Sequence, residues 1–360
     1  MSQRHTFSIS MPIGGWSPGL PAVLRSLKAQ DAQTQIAFCD VSSDERVIAA
    51  CDESGIEFAH RRHGPDGGQS DAIIEGWNKT DGDILAWLNV DDVLTPWALK
   101  EAEEAFAADP DLDVYFGEST ILDADGSTTG VHPAVQPPGD ILLRSCTISQ
   151  PSCFFKRSAV ERAGGLQAER HFTMDWDLWV RLYRQGSKFK HTPSFFSAVL
   201  FEKGTKTSSL PMQRYRELFS IVESGAGRYA AWKSMIGFTL HHWASYTPLN
   251  PIVRSLRKAG LLWEHKPGSS GMTGSGRVRG QGALPVLNLT EKPQTVLEVE
   301  LAGAGASKAW ATLGGIKRKG PVARFEFDTP VQPTEAVTVG VDAGETGQPV
   351  LFQRARWVEG

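Results

Sequence analysis

Acidic side chains follow two predicted strands within the first hundred residues of the chain. Asp40 ends the apolar run TQIAFCD, and Asp91 and Asp92 follow the run DILAWLNV. Sheets built from alternating strands and helices bind ligands at the carboxyl ends of their strands, so we expect these three carboxylates to face one crevice. Carboxylate oxygens are the ligands that hard divalent cations prefer. The pattern therefore predicts a cation site at this edge of the sheet.

The segments around these acids alternate strand patterns with helix patterns. Phe7, Ile9 and Met11 mark a first strand, and helix patterns recur after successive strands: LPAVLRSLKAQ, DERVIAACDESG and SDAIIEGWNKT. Further along, SAVERAGG ends in paired glycines and MDWDLWVRLYRQG ends at Gly186, which is typical of helix C-termini. The alternation predicts an α/β domain with a mainly parallel sheet.

The segment DGGQSDAIIEGW, followed by DGDILAWLNVDD, covers residues 66–92 and is specific in both order and spacing. It resembles the family 2 glycosyltransferases, whose fold is a Rossmann-like nucleotide-binding domain of the A type. The resemblance extends over residues 6–207. It implies an inverting transfer of a sugar from a nucleotide-diphosphate sugar to an acceptor hydroxyl.

The resemblance assigns donor and metal roles to residues of these motifs. Asp92 is expected to be the first ligand of Mn²⁺ or Mg²⁺, which binds the diphosphate of the donor. Asp91 is expected to share the metal or to bind the ribose. The other expected donor contacts are Asp40, Gln69 and Asp71. An alternative leaves Asp91 and Asp92 as caps of a helix that begins near Pro96.

The sequence departs from the family pattern at two places. Asn89 stands where many relatives carry the first acid of the cluster. Relatives often have an Arg and a His before a GSKT-like run, whereas this chain reads AVLFEKGTKTSS. Glu202 in that run is expected to be a further metal ligand, because a carboxylate suits a hard cation. Lys206 and Thr207 are expected to bind donor phosphate, with an ordinary polar loop as the alternative.

A second pair of motifs, QPSCFFKRSAVERAGG and HFTMDWDLWVRL, resembles the acceptor side of the same family. Asp175 is expected to be the base that removes the proton of the acceptor hydroxyl. Asp177 lies on another helix face and is expected to support structure. Gln150 and Trp176 are expected to bind the acceptor. The alternative for Trp176 is a core position, which is usual for tryptophan on a helix.

Composition and length predict a folded chain with more than one domain. The 360 residues are 41% hydrophobic and 22% charged, values typical of globular proteins. We expect a nucleotide-sugar-binding catalytic domain over 1–210, a helical extension over 211–265, a flexible Gly- and Ser-rich linker over 266–284, and a small antiparallel β-sandwich or barrel over 285–360. The four cysteines show no metal or disulfide spacing and are expected to be reduced thiols.

Charge is distributed unevenly along the chain. Residues 203–280 contain twelve Lys or Arg and only three Glu, although the net charge of the whole chain is −4. Trp residues interleave with these cations over 212–263, which suggests docking at the inner face of the membrane, with packing against the catalytic domain as the alternative. The sequence has no signal-peptide or membrane-spanning pattern, so we expect a cytoplasmic protein, peripheral at the membrane if it docks there, and no nucleic-acid partner.

The residues and the resemblance together predict an inverting glycosyltransferase of bacterial surface polysaccharide or glycan assembly, with a glycan or lipid-linked acceptor. The alternative from another class is a non-catalytic carbohydrate-binding or assembly protein on the same scaffold. A sugar nucleotidyltransferase is less well supported, because no Gly-rich GGxGxR loop follows the first strand. The motifs of dinucleotide-binding proteins, P-loop ATPases, zinc proteases and serine hydrolases are absent from the sequence.

Overall fold

The structure is a computed structural model that describes residues 4–132, 139–200, 211–246, 252, 270–274, 276–278, 280–344 and 348–358. It begins with four parallel strands in the spatial order β3, β2, β1, β4. These strands are β1 (Thr6–Ile13), β2 (Gln33–Asp40), β3 (His60–His63) and β4 (Ile84–Trp87). The connecting helices are α1 (Leu20–Lys28), α2 (Glu45–Glu53) and α3 (Gln69–Asn78).

Local sequence explains why these helices begin where they do. A proline occupies the first turn of α1, where its missing N–H removes no helical hydrogen bond. The side chain of Asp44 caps α2 by accepting from the backbone N–H of Arg46 at 2.9 Å. Each helix must then run back across the sheet, because the next strand is parallel to the last. The strand ends and the helix starts therefore meet at one edge of the sheet.

The middle of the chain adds antiparallel and mixed pairings to this sheet. Its strands are β5 (Asp92–Leu94), β6 (Val114–Leu122), β7 (Thr128–His132), β8 (Cys153–Lys156) and β9 (Phe189–Leu200), and its helices are α4 (Ala98–Ala108), α5 (Arg157–Arg162) and α6 (Met174–Arg184). Strand β8 pairs antiparallel with both β4 and β6, so it joins the two halves of the sheet. Short 3₁₀ turns cover Gly139–Ile141 and Gln150–Ser152.

A helical hairpin and two further groups of strands follow. The hairpin consists of α7 (Met212–Ala226) and α8 (Arg228–Tyr246). The strands are β10 (Arg277–Val278), β11 (Gln281–Leu287), β12 (Gln294–Ala302), β13 (Trp310–Leu313), β14 (Ile316–Lys319), β15 (Val322–Val331), β16 (Ala336–Asp342) and β17 (Val350–Trp357). Strands β11, β16, β13 and β14 form a separate antiparallel sheet, which packs through a shared apolar core against β12, β15 and β17.

The structure confirms the predicted α/β class, with helices around a largely parallel N-terminal sheet and a separate antiparallel sheet near the C-terminus. Two features differ from expectation. Strand β17 pairs with β7 at Ala355 and Thr128, so one C-terminal sheet continues the large N-terminal sheet. Strand β10 and the start of β11 lie within the predicted linker 266–284, because antiparallel pairing with β17 and β16 orders that part.

No helix in the described part of the chain is long and apolar enough to cross a membrane. The core of the C-terminal module also includes two residues of the N-terminal sheet, Val131 and Phe195. This shared core joins the module to the rest of the fold.

Truncation of Phe352 tests how strongly that core stabilises the protein. The ring is 2% exposed, and Phe352→Ala should lower the free energy of unfolding by about 3–5 kcal/mol, because it removes buried apolar surface and leaves a cavity. Chemical denaturation measures the change. The matched variant Ile316→Ala, at a side chain 46% exposed, should change stability by less than about 0.5 kcal/mol. Equal effects of the two substitutions would contradict the shared core.

Candidate functional site

Three segments meet at the carboxyl edge of the parallel strands. Asp40 is the last residue of β2, the loop 88–91 follows β4, and α3 begins at Gln69 on the same edge. Strand β1 lies between β2 and β4, so the ends of those two strands are about 10 Å apart at the usual strand spacing. We name this edge, between the end of β2 on one side and the loop after β4 on the other, the crevice.

Asn89 connects predicted site residues from three different segments. Its side-chain oxygen, Oδ1, accepts a hydrogen bond from Nε2 of Gln69 at 2.8 Å. Its Nδ2 donates to Oδ2 of Asp92 at 2.9 Å and to Oε1 of Gln150 at 3.1 Å. Gln150 in turn donates to the backbone oxygen of Trp87, at the end of β4, at 2.9 Å. The residue that departs from the family pattern is thus the hydrogen-bonded centre of the site.

Asp91, which is half-buried, and Asp92, which is buried, form an acidic pair at the start of β5. Asp92 is 3% exposed, and its backbone pairs with β9 at Val199. Burial and the neighbouring charge of Asp91 raise the pKa of Asp92 well above its usual range, and burial also raises the pKa of Asp91. The capping alternative for these two acids is wrong, because α4 begins at Ala98 with Trp97 at its N-cap and no side-chain cap.

The carboxylate of Asp40 is fully buried and bonded within the chain. Its Oδ1 accepts from the backbone N–H of Ser42 at 2.8 Å and from the Ser42 hydroxyl at 2.7 Å. Its Oδ2 lies 2.8 Å from Nδ1 of His63, at the end of β3. Asp40 therefore joins the ends of β2 and β3 and shapes the crevice. Its expected contact with a nucleotide stays a prediction.

Asp71 lies in the first turn of α3 and is half-buried. Its carboxylate fills the space beside Gly67, where an added Cβ would stand only 1.7 Å from Oδ2 of Asp71. Gly68, the N-cap of α3, has a φ of 122°, a conformation that glycine tolerates best. The two glycines of the DGGQSD motif therefore allow the loop to close over Asp71, which fixes this side chain at the crevice.

Asp175, the predicted base, is the second residue of α6 and is half-buried. The segment before α6 packs against the start of α3, since the hydroxyl of Ser70 donates to the backbone oxygen of Arg170 at 2.6 Å. The pKa of the Cys153 thiol is raised mainly by burial and in part by the charge of Asp175. Cys153 directly follows the turn that begins at Gln150. The expected role of Asp175 as the base stays a prediction.

Trp176 does not fit its predicted role in acceptor binding. Its side chain is 4% exposed, and its indole N–H donates to the backbone oxygen of Leu142 at 2.6 Å. It belongs to the apolar core with Trp179, so neither ring face is open for a sugar, and the stacking assignment is corrected to a core position. Asp177 forms ion pairs with Arg181 at 2.8 Å and Arg170 at 3.5 Å, as expected for a structural acid.

Three further predicted site residues fall within 201–210, outside the described residues: Glu202, Lys206 and Thr207. Their roles as metal ligand and phosphate contacts stay predictions.

Glu217 of α7 is a residue that the sequence did not single out. Its buried carboxylate accepts from the backbone N–H groups of His171, Phe172 and Thr173 at 2.9–3.1 Å, and from the Thr173 hydroxyl at 3.0 Å. These groups lie at the N-terminus of α6, which has no cap from its own N-cap side chain. A negative charge there also complements the helix dipole. The helical extension thus fixes the helix that carries Asp175.

Another cluster, Cys39, His60 and Glu75, brings possible metal-ligating atoms within 4.8 Å of one another. Glu75 already binds Nε of Arg62 at 2.8 Å and Nε2 of His60 at 2.7 Å. Burial raises the pKa of the Cys39 thiol to about 12, so it stays protonated at neutral pH. The guanidinium of Arg62 supplies the positive charge that a bound cation would otherwise supply to Glu75. We therefore interpret the cluster as a structural ion-pair network.

Parallel strands with acids at their carboxyl edge, extended by mixed strands, form an α/β fold similar to the A type found in glycosyltransferases. The match to a family model supports the same class. Residues 8–153, from β1 to the first residue of β8, match the glycosyl transferase family 2. The matched segment includes Asp40, Asn89, Asp92 and Gln150.

Individual relatives are distant or partial. O-antigen biosynthesis protein RfbC of Myxococcus xanthus is 30% identical over 127 residues, which are 35% of this chain and 10% of that protein. S. aureus TarS 1–349, solved with UDP-GlcNAc, superposes with a TM-score of 0.49 at 13% sequence identity. The superposed region covers 69% of this chain and 75% of the TarS chain. The mannosyltransferase PcManGT of Pyrobaculum calidifontis, solved with GDP-Man and Mn²⁺, has a TM-score of 0.45 at 14% identity, over 72% and 82% of the chains.

The buried carboxyl group of Asp92 predicts an unusual dependence of stability on pH. Because the pKa of Asp92 is higher in the fold than in the unfolded chain, its ionised form destabilises the protein, and stability falls as pH rises through the folded pKa. In the presence of EDTA, Asp92→Asn should unfold at a higher temperature than wild type at neutral pH. The difference should vanish as pH falls to about 4, where the unfolded group also protonates.

Asp31→Asn is the matched control for this experiment. Asp31 is exposed, and hydrogen bonding and charge attraction to Lys100 lower its pKa, so its ionised form favours the fold. Removing that charge should lower the unfolding temperature slightly or leave it unchanged at neutral pH. A lower unfolding temperature for Asp92→Asn as well would contradict the electrostatic penalty at the acidic pair.

The cap that Glu217 provides can be tested by an isosteric change. Glu217→Gln replaces one accepting oxygen with an NH₂ group that faces backbone donors, and should lower the free energy of unfolding by about 1–3 kcal/mol. Urea denaturation measures the loss. Glu223→Gln, on the same helix, should stay within about 0.5 kcal/mol of wild type, because among the described residues the Glu223 side chain makes only an exposed pair with Arg228 at 3.9 Å. Similar losses in both variants would argue against a specific cap.

Proposed function

We propose that the chain is an inverting, metal-dependent glycosyltransferase that moves a sugar from a nucleotide-diphosphate sugar to a hydroxyl of a glycan or lipid-linked acceptor. We place it in the assembly of a bacterial surface polysaccharide or related glycan. The observation that carries this proposal is the hydrogen-bonded set around Asn89, which links Gln69, Asp92 and Gln150 within a glycosyl transferase family 2 domain. Such a set positions donor-side and acceptor-side groups around one acid.

The acidic pair suits a divalent cation. A buried and a half-buried carboxyl group side by side resist ionisation, and a bound Mn²⁺ or Mg²⁺ would offset both the burial and their mutual repulsion. Asp92 and Asp91 would hold the ion, with Glu202 as a further expected ligand. When bound, the ion would neutralise charge on the departing diphosphate. The raised pKa values therefore support a cation site, since an acidic pair without one is electrostatically unfavourable.

The side chains of the set have separable tasks in this proposal. Asn89 holds the Asp92 carboxylate through its amide N–H, so the acid keeps one orientation toward the donor. Gln150, bonded to the backbone after β4, holds the acceptor side of the same crevice in register. Lys206 and Thr207 are proposed to contact the donor phosphates, and Asp40 and Asp71 the nucleoside.

Asp175 is proposed to accept the proton of the attacking hydroxyl. Its carboxylate has one oxygen bonded to the backbone N–H of Trp176 at 2.7 Å, which restrains the side chain at the start of α6. A restrained carboxylate on the acceptor side can remove the proton while the new glycosidic bond forms, in a single displacement at the anomeric carbon. Glu217 fixes the helix on which this base stands. Because the proposed donor is a cytoplasmic metabolite, we place the reaction on that side of the membrane.

Turnover of a panel of nucleotide sugars tests the proposal. With Mn²⁺ or Mg²⁺ present, purified protein should transfer or hydrolyse at least one donor, and EDTA should abolish the reaction. Asp92→Asn and Asp175→Asn should each reduce turnover by about 10² or more, because a lost general base or charge clamp has effects of that size. Asp31→Asn, at an exposed residue outside the site, should remain fully active.

Two outcomes would refute this assignment. Full activity of either site variant would exclude the role given to that residue. Binding of glycans with no turnover of any donor would favour the non-catalytic carbohydrate-binding alternative, in which the scaffold is kept and the chemistry is lost.

A further inference from the structure

Helix α8 buries one face against α7 in the helical hairpin. Gly227, with a φ of 87°, separates the two helices. Ala231 and Met235 are buried in the shared apolar core, and the ring of Phe238 packs against Tyr215 with centroids 6.3 Å apart. Packing within the hairpin therefore accounts for this face of α8.

The opposite face of α8 is also apolar, yet it is exposed. Its large side chains recur at helical spacing. They are Tyr229 (85% exposed), Trp232 (58%), Ile236 (62%) and Leu240 (61%). We name these four residues the α8 stripe. A helix that is apolar on two faces needs a second apolar environment, and a contiguous exposed apolar surface of this kind marks a docking site.

Cations flank the α8 stripe. An open cleft of about 590 Å³ at the start of α8 is lined by Arg144, Arg228, Lys233 and the ring of Tyr229. Within the described residues, neither Arg144 nor Lys233 forms an ion pair, and Arg228 has only Glu223 at 3.9 Å. The three side chains thus bring positive charge to the same surface as the stripe, with little compensation from acids.

This combination favours an anionic bilayer as the occupant. Tyr and Trp prefer the boundary between headgroups and acyl chains, and Lys and Arg beside them attract anionic lipid phosphates. Helix α8 is not apolar enough to cross a membrane, which suits a helix that lies in the interface. A second copy of the chain is disfavoured, since a two-fold contact through this face would bring the same cations together.

We propose that the α8 stripe docks on an anionic membrane surface. The stripe enters the boundary between headgroups and acyl chains, and Arg144, Arg228 and Lys233 bind lipid phosphate. This interaction goes beyond sugar transfer, since it requires neither donor nor metal. It also bears on the site, because α7 connects the docked helix to α6 through Glu217.

Vesicle flotation tests the docking directly. At low salt the full chain should float with vesicles of phosphatidylcholine and phosphatidylglycerol, and much less with phosphatidylcholine alone. Ile236→Ser with Leu240→Ser should weaken binding at least tenfold, because both side chains leave the boundary. Lys233→Glu should weaken it about fivefold or more, since one surface cation contributes about that factor. Ile316→Ser and Lys308→Glu, at exposed positions of the C-terminal module, are the matched controls and should bind like wild type.

A second readout does not depend on substitutions that alter folding. Brominated lipids should quench the tryptophan fluorescence of the wild type, and Trp232→Phe should lose most of that quenching while it still floats.

Failure of the wild type to float at low salt would overturn the proposal, as would unchanged flotation of the stripe and Lys233 variants. Equal binding to neutral vesicles would overturn the role of the cations. Dimers that form through this face without vesicle binding would assign it to a second copy. Since every assay is read without sugar transfer, these outcomes are separate from the test of the enzyme.

Discussion

The arrangement of the site depends on one amide side chain. An asparagine offers both a donor and an acceptor, so Asn89 can bind the amide of Gln69 on one side and the oxygens of Asp92 and Gln150 on the other. An acid at this position could accept from Gln69, but it would repel Asp92 and could not donate to Gln150. The departure from the family pattern therefore has a physical reason, since a neutral amide stands where a third negative charge beside Asp91 and Asp92 would be.

Two acids at the same edge of the sheet are electrostatically unfavourable in the fold. Asp91 and Asp92 are adjacent and removed in part or in full from solvent, and folding alone would favour neutral residues there. Other acids of the fold are compensated within the chain: Asp40 by Ser42 and His63, and Glu217 by the start of α6. The contrast distinguishes acids that support the structure from the two acids that we propose as cation ligands. Electrostatic repulsion is thus concentrated at the proposed cation site.

Much of this arrangement could be predicted from the sequence, and the remainder depends on tertiary packing. The apolar runs before Asp40 and Asp92 fixed the strand ends, and a parallel sheet gathers such ends at one edge. Trp176 was misassigned because an indole on a helix gives no local sign of whether its faces are open. Glu217 was missed because its partners lie more than forty residues earlier in the chain. The continuation of the sheet into β17 likewise joins residues that only the folded chain brings together.

The pairing of β17 with β7 also affects which edge of the N-terminal sheet is exposed. Because β17 lies beside β7, the last strand of the chain covers part of an edge that the N-terminal sheet would otherwise leave bare. Bare strand edges can recruit foreign strands, so loss of the C-terminal module would leave β7 as an open edge near Thr128. A protein in which another module replaced this one would need a new element to cover that edge.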